Sequence, residues 1–122
     1  MTLKELYEII GGDYDQALRV LRVEKLMDKH IRKLTKGSVV EQLIAAGEAM
    51  DPAQMFDAAH ASKGMCGNLG LKKLSDLASD IAEEFRPGNP RTMTDGQVRE
   101  KLDEIAALYR RAVDGVRQYE QN

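Results

Sequence analysis

The sequence predicts an all-α fold, an antiparallel up-down four-helix bundle with additional short helices at the N-terminus and in the connections. Three observations support it. Apolar residues recur at steps of three and four through most of the 122 residues, the period of one helical face. Between these stretches stand helix starts (Ser, Thr or Asp) and helix stops (Gly or Pro). No segment shows convincing strand alternation.

Thr2 with Glu5 forms a capping box for a short first helix, which Gly11-Gly12 ends. Asp13 caps the next helix, near 14–35, whose apolar stripe is Ala17, Val20, Val23, Met27, Ile31 and Leu34. Lys36-Gly37 stops it. Ser38 with Glu41 is a second capping box, opening a short helix on Val39, Val40, Leu43, Ile44 and Ala46. Asp51-Pro52 starts a long helix near 51–69, with a capping carboxylate followed by the residue best tolerated at the first helical position. Gly70 separates it from a helix near 71–86, with the stripe Leu71, Leu74, Leu77, Ala78, Ile81 and Phe85. Arg86-Pro87-Gly88-Asn89-Pro90 is the strongest break in the chain. Thr94 with Gln97 caps a last helix near 94–120, whose seam runs through Val98, Leu102, Ile105, Tyr109, Ala112, Val116 and Tyr119. The helices near 14–35, 51–69, 71–86 and 94–120 are the expected bundle. No linker divides residues 1–122 into two domains.

Composition narrows the function. Hydrophobic residues at 43% and charged residues at 31% are the balance of a soluble globular chain. No apolar run approaches the roughly 20 residues that span a bilayer, and the N-terminus lacks the layout of a signal peptide. A net charge of −2 without a long basic block argues against nucleic acid as the main partner. The single cysteine excludes an internal disulfide and a Cys-based zinc site, and favours a reducing cytoplasm.

One stretch carries chemistry: Ala59-His60-Ala61-Ser62-Lys63-Gly64-Met65-Cys66-Gly67-Asn68-Leu69-Gly70. At about 100° per residue, Met55, Ala58, Ala59, Ser62, Met65, Cys66 and Leu69 share one face. His60, Gly64 and Gly67 share the other, with Lys63 at its edge. Each interior glycine costs a helix about 1 kcal/mol relative to alanine. Two on the histidine's face are explained by access for another protein's backbone, or by close helix packing. A neutral imidazole is a nucleophile toward phosphorus, and histidine's ordinary pKa of about 6.5 leaves it substantially neutral at cellular pH. Lys63, one turn on, is placed to reach a phosphoryl oxygen. No glycine-rich nucleotide loop and no carboxylate cluster for Mg²⁺ accompanies them. This chemistry carries a phosphoryl group without taking it from ATP.

His60-Ala61-Ser62-Lys63-Gly64, continuing to Asn68-Leu69-Gly70, resembles the H-x-x-K-G-x-x-x-x-L-G signature of histidine-containing phosphotransfer (HPt) domains. The helix from Leu71 to Arg86 and the break after it extend the likeness, which weakens before residue 38. The resemblance implies a four-helix bundle whose exposed His60 takes phosphate from a receiver-domain aspartate, or exchanges it between a histidine kinase and a receiver. The receiver supplies the acidic pocket and Mg²⁺, so this chain binds no metal or cofactor. Lys63 matches the phosphate-stabilising lysine of the family, and Gly64 the glycine that opens space beside the histidine. Some relatives place a glutamine on the neighbouring helix where Ala82 is expected here. Arg86, one turn further, is the electrostatic substitute. Phe56 joins Gly64 and Gly67 on the partner access surface, or belongs to the core.

Asp57, three residues before His60, reads as a surface charge, His30 as a partly buried residue without a role, and Cys66 as a small core residue. A di-iron oxidase needs two Glu-x-x-His pairs, and Asp57-x-x-His60 occurs once. The stronger rival is a docking module that binds receivers or kinases without carrying phosphate. The expected molecule is a cytoplasmic, monomeric, free-standing carrier.

Overall fold

A computed structural model describes residues 1–121, which form seven α-helices and one 3-10 turn. In order they are α1 (Leu3–Ile10), α2 (Tyr14–Leu21), α3 (Glu24–Arg32), the 3-10 turn (Lys33–Thr35), α4 (Val39–Ala49), α5 (Pro52–Asn68), α6 (Lys72–Glu84) and α7 (Asp95–Glu120). The described residues contain no strand.

The ends follow the side chains that cap them. Both partners of the capping box are present at Thr2/Glu5 and at Thr94/Gln97. Asp13 and Asp51 accept from the backbone N–H of Gln16 and Gln54. Ser38 caps α4 through Val40, but Glu41 does not complete the expected box. Its carboxylate lies 2.7 Å from the Tyr109 hydroxyl, which also sits 2.9 Å from the Leu34 carbonyl oxygen and accepts from Ser38 at 3.2 Å. A buried hydroxyl with partners on three segments outcompeted the local cap.

The expected helix over 14–35 is interrupted. Arg22 has φ +74° and separates α2 from α3, with its N–H bonded to the Leu18 carbonyl. A left-handed φ on a residue with a Cβ costs about 1–2 kcal/mol, and no glycine or proline marks the place. The break divides the stripe: Ala17, Met27, Ile31 and Leu34 are buried, whereas Val20 and Val23 are exposed.

The bundle is therefore built on a different fourth helix. α5 packs between α4 and α6, and α7 closes against both α4 and α6. The pairings run antiparallel. Ser38 and Gly47 of the α4 segment meet Tyr109 and Leu102 of α7, and Glu84 and Asp80 of α6 meet Thr92 and Lys101. α1 and α3 cover the C-terminal half of α7, and α2 docks on the end of α5. There the Asp13 N–H donates to the Gly70 carbonyl at 2.8 Å. Gly70 has φ +72°, and a Cβ on it would collide with the Asp13 carbonyl oxygen. Only glycine fits that approach. The buried apolar side chains of all seven helices form one continuous core.

Candidate functional site

α5 divides as its sequence indicates. Met55, Ala58, Ala59, Ser62, Cys66 and Leu69 are buried, and His60, Lys63 and Gly64 are exposed. Burial pushes the Cys66 thiol up to about 12, so it stays protonated and unreactive. The His60 imidazole lies over the half-buried Phe56 ring, with centroids 5.8 Å apart and planes 23° from parallel. Phe56 in turn lies under the Arg86 guanidinium, 5.4 Å from its centroid. Phe56 thus packs against the core while carrying the imidazole on its outer face.

The two glycines differ. A Cβ at Gly64 would meet nothing within 4 Å, so no contact among the described residues requires a glycine there. Gly67 is half-buried, and a Cβ would stand 3.4 Å from the Ser75 hydroxyl of α6. That hydroxyl donates to the Lys63 carbonyl at 2.9 Å, tying α6 to α5 beneath the site. Gly67 lies where the helices meet, and Gly64 alone opens outward.

Ala82 is not an exposed neighbour of the site. It is buried in the core, completing the α6 stripe. The α6 residue whose charge reaches His60 and Lys63 is Glu83, its neighbour. Arg86 holds Glu83 through two hydrogen bonds, at 2.6 and 3.3 Å. Those bonds, and then the nearby positive charges, keep the Glu83 carboxyl below the usual carboxylate range. Arg86 is therefore not a free cation beside His60; it is shared between Glu83 and the Phe56 ring. The Lys63 ammonium has no hydrogen-bonded partner among the described residues. The sequence reading missed Glu83, although its i,i+3 spacing to Arg86 on a polar face was a usable signal.

Asp57 lies on the other flank of α5, lining with Gln42, Gln54 and Ala61 a groove between α4 and α5. Below the site the buried Glu84 pins the α6–α7 connection. It accepts from the N–H groups of Thr92 and Met93 at 2.9 and 2.8 Å, the Thr92 hydroxyl at 2.7 Å and Arg91 at 2.9 Å. Burial opposes its charge, but these donors win and hold its pKa at about 2.

The fold and site define a class: a small helical bundle that presents one imidazole on an open helix face, bordered by a lysine and an outward glycine. The Hpt domain family model matches residues 26–114, from α3 through most of α7 and including the whole site. The chain belongs to the Hpt domain family, whose domains transfer phosphoryl groups through histidine in two-component phosphorelays and interact with receiver domains and histidine kinases. No curated protein and no solved structure matches it. No helix among the described residues is long and apolar enough to cross a membrane.

Proposed function

We propose that His60 is the phosphoryl acceptor of this chain, exchanging the group with the aspartate of a receiver domain or with a sensor histidine kinase. The observation that carries the reading is the exposed imidazole held on Phe56, with open space over Gly64 and a Lys63 ammonium that has no hydrogen-bonded partner among the described residues. In the forward step an imidazole nitrogen lone pair attacks phosphorus. A nitrogen–phosphorus bond forms, the bond from phosphorus to the aspartate oxygen breaks, and the carboxylate leaves with the electron pair. The reverse step returns the group to a second receiver.

The stacked phenyl ring limits rotation of the imidazole, so less orientational freedom is lost when the receiver arrives. Lys63 supplies positive charge to the phosphoryl oxygens, and Gly64 leaves room for the receiver's backbone. The Mg²⁺ and acidic pocket that activate the acyl phosphate belong to the receiver, and the setting proposed is the cytoplasm. Nucleic acid is not a proposed partner, and the carrier is a monomer.

Transfer from a phosphorylated receiver tests the reading, with receiver binding followed in parallel. His60→Gln is expected to abolish labelling while receiver binding and the helical circular dichroism spectrum persist. Lys63→Ala is expected to slow transfer or shorten the phosphohistidine lifetime. Labelling that survives in His60→Gln would move the acceptor elsewhere. Wild-type protein that binds receivers but is never labelled would establish a docking module instead.

A further inference from the structure

Far from His60, the corner between α2 and α3 combines exposed aliphatic groups with unneutralised positive charge. Val20, Val23 and Leu26 are 42, 50 and 40% exposed and follow one another at steps of three across the Arg22 break. The inner side of the same segment is already committed to the core through Ala17, Met27 and Ile31. Residues 19–36 hold seven of the chain's 18 basic residues but only two of its 20 acidic ones; with Arg32 also paired to Glu120 at 3.6 Å, this corner stays positive on a chain of net charge −2.

Both of those acids are engaged internally. Glu24 accepts from the Tyr14 hydroxyl, and Asp28 accepts from Tyr119 at 2.6 Å and Arg32 at 2.9 Å. Arg22, Lys25 and Lys29 stand exposed around the aliphatic groups without a carboxylate partner among the described residues. The non-glycine left-handed backbone at Arg22 adds strain at the centre of the patch. Strain of that kind is retained where a local shape is needed.

We propose that this corner is a second docking surface, built for an acidic protein segment that carries aliphatic side chains. Charge complementarity selects the occupant. A second copy meeting this patch about a two-fold axis would set its lysines and arginines against their own equivalents. A nucleic-acid backbone gives the aliphatic centre nothing apolar to pack on. A membrane offers three aliphatic side chains little depth, since the long apolar faces of α2 and α3 already lie inward and the patch has no aromatic anchor.

The surface is also separate from His60. Tyr119 fixes α3 at the far end of α7, whereas Lys101 joins α7 to α6 one turn from Glu83. At 1.5 Å per residue the two levels stand roughly 30 Å apart. Both surfaces can therefore be engaged at once, and this inference stands whether or not His60 carries phosphate.

The test is an amide chemical-shift titration of the full chain with a synthetic amphipathic helical peptide bearing leucine on one face and glutamate on the other. Saturable shifts confined to residues 19–36 are expected. The dissociation constant is expected to rise at least about tenfold in Lys25→Glu/Lys29→Glu and in Val23→Ser/Leu26→Ser. These are surface changes, so melting should stay near wild type, and His60→Gln should bind the peptide unchanged. Absence of saturable shifts, or shifts centred elsewhere, overturns the proposal. So does tighter capture by vesicles of equimolar phosphatidylserine and phosphatidylcholine than by the peptide, or self-association that the same variants abolish.

Discussion

Replacing Gly64 separates what this chain needs from what a partner needs. Gly64 lies inside α5, its surroundings are empty to 4 Å, and its backbone is helical. Alanine there adds a methyl group to open space, meets no neighbour and removes the entropic penalty of an interior glycine. The expected gain is about 0.5–1 kcal/mol, or roughly 2–4 °C in melting temperature for a chain of this size. Gly64→Gln should also fold at or above wild-type stability, since its side chain points into solvent. Transfer should move the other way. The added side chain stands one turn from His60 on the face a receiver must approach, so Gly64→Gln is expected to slow transfer at least about tenfold, with Gly64→Ala intermediate. Thermal denaturation and a quenched time course of label transfer from a phosphorylated receiver read the two effects separately. A destabilised Gly64→Ala would reveal an internal contact that the structure lacks. Wild-type transfer by Gly64→Gln would remove access as the reason for the glycine.

Three further outcomes are expected. Glu84 has its folded pKa lowered from 4.5 to about 2, so its contribution is complete above the unfolded value and is lost as pH falls from about 4.5 toward 2. Glu84→Gln should cost about 2–3 kcal/mol at pH 7 and flatten the acid limb of a urea-stability profile; an unchanged limb would assign acid sensitivity elsewhere. Tyr109→Phe strips a hydroxyl shared by Ser38, Leu34 and Glu41 and should cost about 1–3 kcal/mol in urea unfolding, against no loss if water replaces it. Glu83→Gln removes a negative charge beside the site and loosens Arg86, so the phosphohistidine half-life should lengthen about two- to fivefold; an unaltered half-life would detach Glu83 from the chemistry.

Much of this molecule is written in local signals. Thr2/Glu5, Thr94/Gln97 and Asp51-Pro52 mark helix starts through side chains that satisfy the adjacent backbone, and such signals survive folding because both partners are close in sequence. The two faces of α5 were legible for the same reason. What stayed hidden depended on distant partners. Val20 and Val23 continue a helical stripe in sequence, but the helix breaks at Arg22 and both are exposed beside the break. Glu41 sits where a capping box needs it, but Tyr109, 68 residues away, binds it instead. The short α4 became the fourth bundle helix because Gly47 lets Leu102 approach to 2.5 Å of where a Cβ would stand, a contact no local pattern announces. At the site, the motif around His60 was readable residue by residue. The register of α6 was not, and it buried Ala82 and brought Glu83 forward.

The most direct measurement is incubation of the protein with a phosphorylated receiver domain and Mg²⁺, followed by intact mass and acid-lability analysis. The expected result is the mass gain of one phosphoryl group, labile in acid, stable in base and absent from His60→Gln. A wild-type chain that binds the receiver and gains no such group, or a label that persists in His60→Gln, would contradict it.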